Sequence, residues 1–192
     1  YADDCNVYVQ SRRAGERVMG LLKRLYTQLR LRVNASKSAV DRATRRKLLG
    51  YSFWVAPGRA IKRRVSAKAL GALKERVRRI TRRTGGRSIE QVVEELRGYL
   101  VGWKQYYRLA ETPRIFAQLD EWLRHRLRAI HLKHWKRGKT IYRALRRRGL
   151  SHVAAARVAA NGRRWWRNSA MTINAAFPIR YFDELGIPRL AA

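Results

Sequence analysis

Apolar residues follow two rhythms along this chain, with a change near residue 66. At the start, Cys5-Asn6-Val7-Tyr8-Val9 alternates and sets Cys5, Val7 and Val9 on one face, the period of a strand. Val18, Leu21, Leu22, Leu25 and Leu29 then recur at helical spacing and predict an amphipathic helix near 14–30. Arg32 to Ser38 reads as a loop. Leu48 to Val55, rich in aromatics, predicts one strand, and Pro57-Gly58 stands in the order of a type II turn. A return strand from Ile61 to Val65 completes a hairpin.

Beyond residue 66 the period is 3.6. Leu70, Leu73, Val77 and Ile80 mark one helix, ended by Gly85-Gly86. Ser88-Ile89-Glu90-Gln91 is a capping-box sequence that opens the next, with Val92, Leu96, Tyr99, Trp103 and Tyr106 as its buried face. Thr112-Pro113 pairs an N-cap with Pro at the first helical position. The long helix after it carries Phe116, Leu119, Trp122, Leu123, Leu127, Ile130 and His134 inward. Shorter helices are expected near 140–148 and 151–160, the second capped by Ser151, and a last element at about 169–177. The fold class is therefore α+β. Residues 1–65 form a strand-containing part, 66–150 a helical domain and 151–192 a small basic extension.

Charge changes this picture most. The 192 residues hold 45 Lys+Arg against 13 Asp+Glu, a formal charge of +32. Self-repulsion at that charge calls for a polyanionic partner. Six Trp, nine Tyr and 46% hydrophobic residues exclude a disordered basic tail. Residues 62–83 hold ten Lys/Arg and one acid, Glu75, and residues 124–148 hold eleven and none. Single-sign runs forgo i,i+4 pairing, so they point to nucleic acid rather than to a solvated face. The candidate contacts are Arg76, Arg78, Arg79, Arg82 and Arg83 in the first run, and Arg124, Arg126, Arg128, Lys133, Lys136 and Arg137 in the second. Trp165-Trp166, flanked by Arg163, Arg164 and Arg167, reads as a tertiary anchor or a nucleic-acid contact, and the five are taken as candidate contacts because adjacent aromatics cannot share one helix face. Trp103, Trp122, Tyr99 and Phe116 read as packing. His131 and His134, with no carboxylate or Cys beside them, read as ordinary histidines rather than metal ligands. No apolar run approaches membrane-spanning length. The one cysteine, Cys5, excludes an internal disulfide framework and fits a reducing cytosol.

Tyr1-Ala2-Asp3-Asp4 sets two carboxylates at a turn before the first alternating segment, an arrangement suited to Mg²⁺ and nucleotide phosphates. Turns also favour Asp for local hydrogen bonds, so the pair alone carries both readings. Order along the chain decides. Tyr1-Ala2-Asp3-Asp4, a helix, Val33-Asn34-Ala35-Ser36-Lys37-Ser38 and Leu48-Leu49-Gly50-Tyr51-Ser52-Phe53 together resemble the second half of a reverse-transcriptase palm. Leu96-Arg97-Gly98-Tyr99-Leu100-Val101-Gly102-Trp103-Lys104-Gln105-Tyr106-Tyr107, then Leu119 to Arg128 and Trp135-Lys136-Arg137, resemble the thumb, or maturase-specific, domain of group II intron-encoded reverse transcriptases.

That resemblance implies an RNA-directed DNA polymerase and maturase that binds group II intron RNA, assists its splicing and copies it into cDNA on target DNA. It implies Mg²⁺ on Asp3 and Asp4, with Tyr1 and Ala2 beside the nucleotide. Lys37 would be the proton donor to the leaving group, and Leu49, Gly50, Tyr51 and Phe53 would form the primer grip. The basic helices would track an RNA–DNA duplex or intron RNA. The family's other metal-binding Asp and its fingers have no counterpart in residues 1–192, and the first residue is Tyr rather than Met. The expectation is a C-terminal piece that binds RNA without polymerising. A standalone RNA-binding maturase and a degenerate fragment are the alternatives.

Overall fold

The structure is a computed structural model that describes residues 5–170 and 172–191. Tyr1, Ala2, Asp3 and Asp4 lie outside the described residues. The chain divides into two compact units between Ser66 and Ala67, and residues 151–192 fall in the second.

In the first unit, helix α1 spans Arg12–Gln28, begun by Ser11, whose hydroxyl accepts from the Ala14 N–H. Its tight contact is at Gly15, where an added Cβ would meet a Val40 methyl at 2.6 Å. The loop after it is an Asx turn: Asn34 Oδ1 accepts from the Ser36 and Lys37 N–H groups. Three antiparallel strands follow in the order β1 (Lys47–Leu48), β2 (Tyr51–Val55), β3 (Ile61–Val65). In register, Leu48 faces Tyr51, and Tyr51 faces Val65.

Two expectations fail here. Residues 5–9 form no strand, since no described segment pairs with them and alternation without a ladder leaves backbone groups unpaired. Leu48 to Val55 is not one strand either. Leu49 (φ 48°) and Gly50 (φ 78°) are both left-handed, as in a two-residue type I′ hairpin turn, and they split the run into β1 and β2. Gly58 (φ 78°, ψ 14°) has the geometry of the third residue of a type II turn, and Ala56 N–H donates to Ala60 O to close the second hairpin.

The second unit is all helix: α2 (Ala67–Ile80), α3 (Ile89–Tyr106), α4 (Pro113–Trp135), α5 (Gly138–Arg147), α6 (His152–Ala160), α7 (Trp165–Ser169), α8 (Ile173–Ala176) and α9 (Ile179–Glu184). The capping box at Ser88 and Gln91 is complete in both directions. Ser151 caps α6 through Ala154 N–H. Leu73, Val77, Leu96, Leu100, Leu123, Leu127, Ile141, Leu145, Phe177 and Phe182 form the core. Helix α4 runs through it and packs on α3, α5 and α7. Its residues Leu127 to Leu132 are buried without interruption, because neighbours cover that turn on all sides.

This coverage corrects three readings. His131, not His134, points inward. Tyr107 is buried while Tyr106 is 55% exposed, since Tyr107 is the residue that packs against Trp103. The last element, expected as one at about 169–177, is instead three short helices, α7, α8 and α9, with Pro178 as the N-cap of α9. Helix α5 also meets α6 closely, and a Cβ at Gly138 would lie 3.1 Å from Ala159 O.

Candidate nucleic-acid interface

Helix α2 turns Leu73, Val77 and Ile80 inward, which leaves its arginines outward. Arg76 reaches Glu95 of α3, and Arg87 shares the same carboxylate, so Arg76 is partly neutralised. The Arg79 side chain makes no ion pair or hydrogen bond among the described residues, and that of Arg82 bonds only Thr84 Oγ1 at 3.1 Å. Arg78 lies 5.8 Å from the centre of the Trp122 ring. Arg83 lies over the face of Trp165.

Helix α4 sorts its cations by direction. Arg126 donates from Nε to Thr81 Oγ1 at 2.6 Å and stands 5.5 Å from the Trp122 centroid. Burial first, then repulsion by Arg78 and Arg83, lowers its pKa. Arg128 is turned inward, 7% exposed, with Nε and Nη2 donating to Phe177 O at 3.2 and 2.9 Å. Burial lowers its pKa to about 10. Arg128 is thus corrected from a phosphate contact to a core residue, because a guanidinium spent on a buried carbonyl is not available to phosphate. Lys133 is exposed, and Arg124 is half-buried. Lys136 and Arg137 are exposed at the α4–α5 joint, where Lys136 (φ 53°, ψ −58°) makes a γ-turn closed by Arg137 N–H on Trp135 O.

Helix α5 was underestimated. Ile141 and Leu145 are its only buried residues, one turn apart, so Lys139, Arg143, Arg146 and Arg147 fall on exposed surface. The signal was present as an acid-free basic run around one i,i+4 apolar pair. Thr81, which orients Arg126 while donating to Val77 O, carried no such signal.

Trp165 and Trp166 open α7 and both meet the rest of the unit. Trp166 stacks on His125 with ring centres 3.7 Å apart, and His125 Nε2 donates to Trp166 O. Trp166 remains 38% exposed, and Arg163, Arg164 and Arg167 around the pair are exposed. His131 stacks on Phe177 and shares a hydrogen bond with the Tyr181 hydroxyl at 3.0 Å. Burial, reinforced by Arg148, lowers its pKa to about 3. Among the described residues no three His, Cys, Asp or Glu side chains gather as a metal site. No helix is long and apolar enough to cross a membrane.

In the first unit, Lys37 is exposed in the Asx turn, with Arg46 Nη2 donating to its carbonyl at 2.8 Å. Leu49 and Gly50 form the hairpin tip, and Tyr51 and Phe53 share one face of β2. Tyr8 meets Phe53 edge-on, with ring centres 6.4 Å apart.

Comparison with known families matches residues 70–149 to the group II intron, maturase-specific domain. Residues 70–149 are therefore similar to that maturase-specific domain. Within the domain lie most of α2, all of α3, α4 and α5, and every candidate cation from Arg76 to Arg137. The helices beyond it still complete its packing, since Phe177 and Phe182 close over Arg128 of α4. No curated protein matches the chain.

Proposed function

We propose that this chain binds group II intron RNA through the exposed cations of its maturase-specific domain and so assists splicing, the RNA performing the chemistry. The observation that carries this is that the matched residues contain the acid-free basic run 124–148, from the second half of α4 through α5. Phosphate contacts of this kind recognise a folded RNA by shape and backbone. They also make affinity fall linearly with salt on logarithmic axes. Filter binding of a group II intron transcript over a KCl series tests the reading, with splicing of the same transcript followed in parallel. Tight binding that weakens steeply with salt and faster splicing are expected. Binding indifferent to salt would contradict it.

A second reading, favoured by Tyr1-Ala2-Asp3-Asp4 and the Lys37 turn, adds RNA-directed DNA synthesis during retrohoming. Asp3 and Asp4 would hold Mg²⁺, which would supply charge stabilisation at the transferred phosphate. An Asp3→Ala substitution in the intact coding frame should abolish primer extension in Mg²⁺. Unchanged synthesis would contradict this reading.

A further inference from the structure

Between α2, α4 and α7 lies a cleft of about 210 Å³ lined by Thr81, Arg83, Arg126, Ala129, Trp165 and Trp166. Its walls are specialised. Thr81 is buried, and its hydroxyl donates to Val77 O at 2.6 Å while accepting from Arg126 Nε at 2.6 Å. That relay pins the Arg126 guanidinium against the end of α2. Its Nη2 lies 3.5 Å from the Arg78 and Thr81 carbonyls, and Nη1 has no hydrogen-bond partner among the described residues. Arg83 lies over the Trp165 ring, and its side chain makes no hydrogen bond among the described residues. Arg78, at the rim over Trp122, has no ion pair among the described residues either.

Three guanidiniums converge here without a carboxylate, near enough that Arg78 and Arg83 each weaken the charged form of Arg126. Other cations of the unit do have carboxylate partners: Arg76 and Arg87 share Glu95, Arg97 meets Glu94, and Arg189 meets Asp183. What sets this cluster apart from the exposed unpaired cations is bracing: Thr81 holds Arg126 and the Trp165 ring lies under Arg83, so its geometry is fixed before any ligand arrives. A guanidinium is planar and offers several N–H donors in a fixed fork, which suits phosphate oxygens.

We infer that this cleft is a phosphate clamp, in which Arg83 and Arg126, with Arg78 at the rim, take one phosphodiester group of a bound RNA strand. The inference rests on the RNA-binding reading and sharpens it from a diffuse basic surface to one preorganised site. Thr81 is a positioning residue, acting through Arg126. A diffuse surface loses about the same affinity for any one cation removed, whereas a clamp loses far more for its own members.

The test is binding of a fluorescent RNA hairpin of two helical turns to the full chain, compared among Arg83→Gln, Arg126→Gln and Arg79→Gln, with a DNA hairpin in parallel. Arg83→Gln and Arg126→Gln should each weaken RNA binding about tenfold or more. Arg79→Gln, removing one screened surface charge, should weaken it about twofold. The clamp variants should lose the same factor on DNA, because the contact is to the backbone. Arg126 also braces α2, so Arg83→Gln decides if Arg126→Gln fails to fold. Equal losses for Arg83→Gln and Arg79→Gln would overturn the clamp and leave the RNA-binding reading standing, as would a loss confined to RNA. Absence of RNA binding by the unsubstituted chain would overturn both.

Discussion

The two units carry similar amphipathic patterns and use them differently. In the first, Leu21 and Leu25 on the stripe of α1 and Leu29 at its C-cap are exposed, Leu29 at 67%, and Val55 and Ile61 stand uncovered across the β2–β3 ladder. In the second, the stripes of α2, α3 and α4 close on one another, and Leu96, Leu100 and Leu127 are wholly buried. Periodicity states which residues favour burial. It does not state what covers them, and stability follows coverage rather than pattern.

The largest effect should separate the units directly. Leu127→Ala should cost about 2–5 kcal/mol by urea unfolding, and Leu29→Ala less than about 0.5 kcal/mol. Equal costs would erase the contrast. Next comes the closure of the second core by the end of the chain. Buried Asp120 accepts from Leu190 N–H at 2.9 Å and from Ala191 N–H at 3.1 Å, seventy positions downstream. Asp120→Ala leaves these donors unpaired and should cost about 2–3 kcal/mol, with faster amide exchange at Leu190 and Ala191.

His131 tests the same core by pH. Its folded pKa of about 3 lies below the ordinary 6.5, so between those values the unfolded chain binds the proton and the folded chain does not. Its contribution is fully present above pH 6.5 and falls as pH drops, by about 1.4 kcal/mol per unit, hence about 2 kcal/mol at pH 5. His131→Phe should flatten that part of the profile. An unchanged slope would show that the histidine is not held neutral. The smallest effect is local: Ser88→Ala should cost about 1 kcal/mol by removing half of the capping box.

What was legible in the sequence was what depends on neighbours along the chain. The capping box, the Ser151 cap, the hairpin at Pro57-Gly58 and the stripes of α2 to α4 all follow from spacing. The turn at Leu49-Gly50 was not, because Leu rarely adopts positive φ and nothing local announces it. Arg128 was misread for another reason. On a basic helix its inward direction is decided by Phe177, forty-nine residues away, and no local pattern encodes that carbonyl. The same holds for Asp120 and its distant partners Leu190 and Ala191. The candidate interface was legible as a charge run, and its division into buried, braced and exposed cations came only with packing.

The central claim is that exposed cations of the maturase-specific domain, and not buried ones, hold RNA. The direct measurement is the salt slope of intron RNA binding for the unsubstituted chain, for a quadruple Arg79, Arg82, Arg143 and Arg147 to Gln variant, and for Arg128→Met. The account predicts that the quadruple variant loses about 0.7–0.9 of slope for each phosphate contact removed. It predicts that Arg128→Met, if folded, keeps the full slope. A quadruple variant with the unsubstituted slope, or an Arg128→Met variant that loses it, would contradict the account.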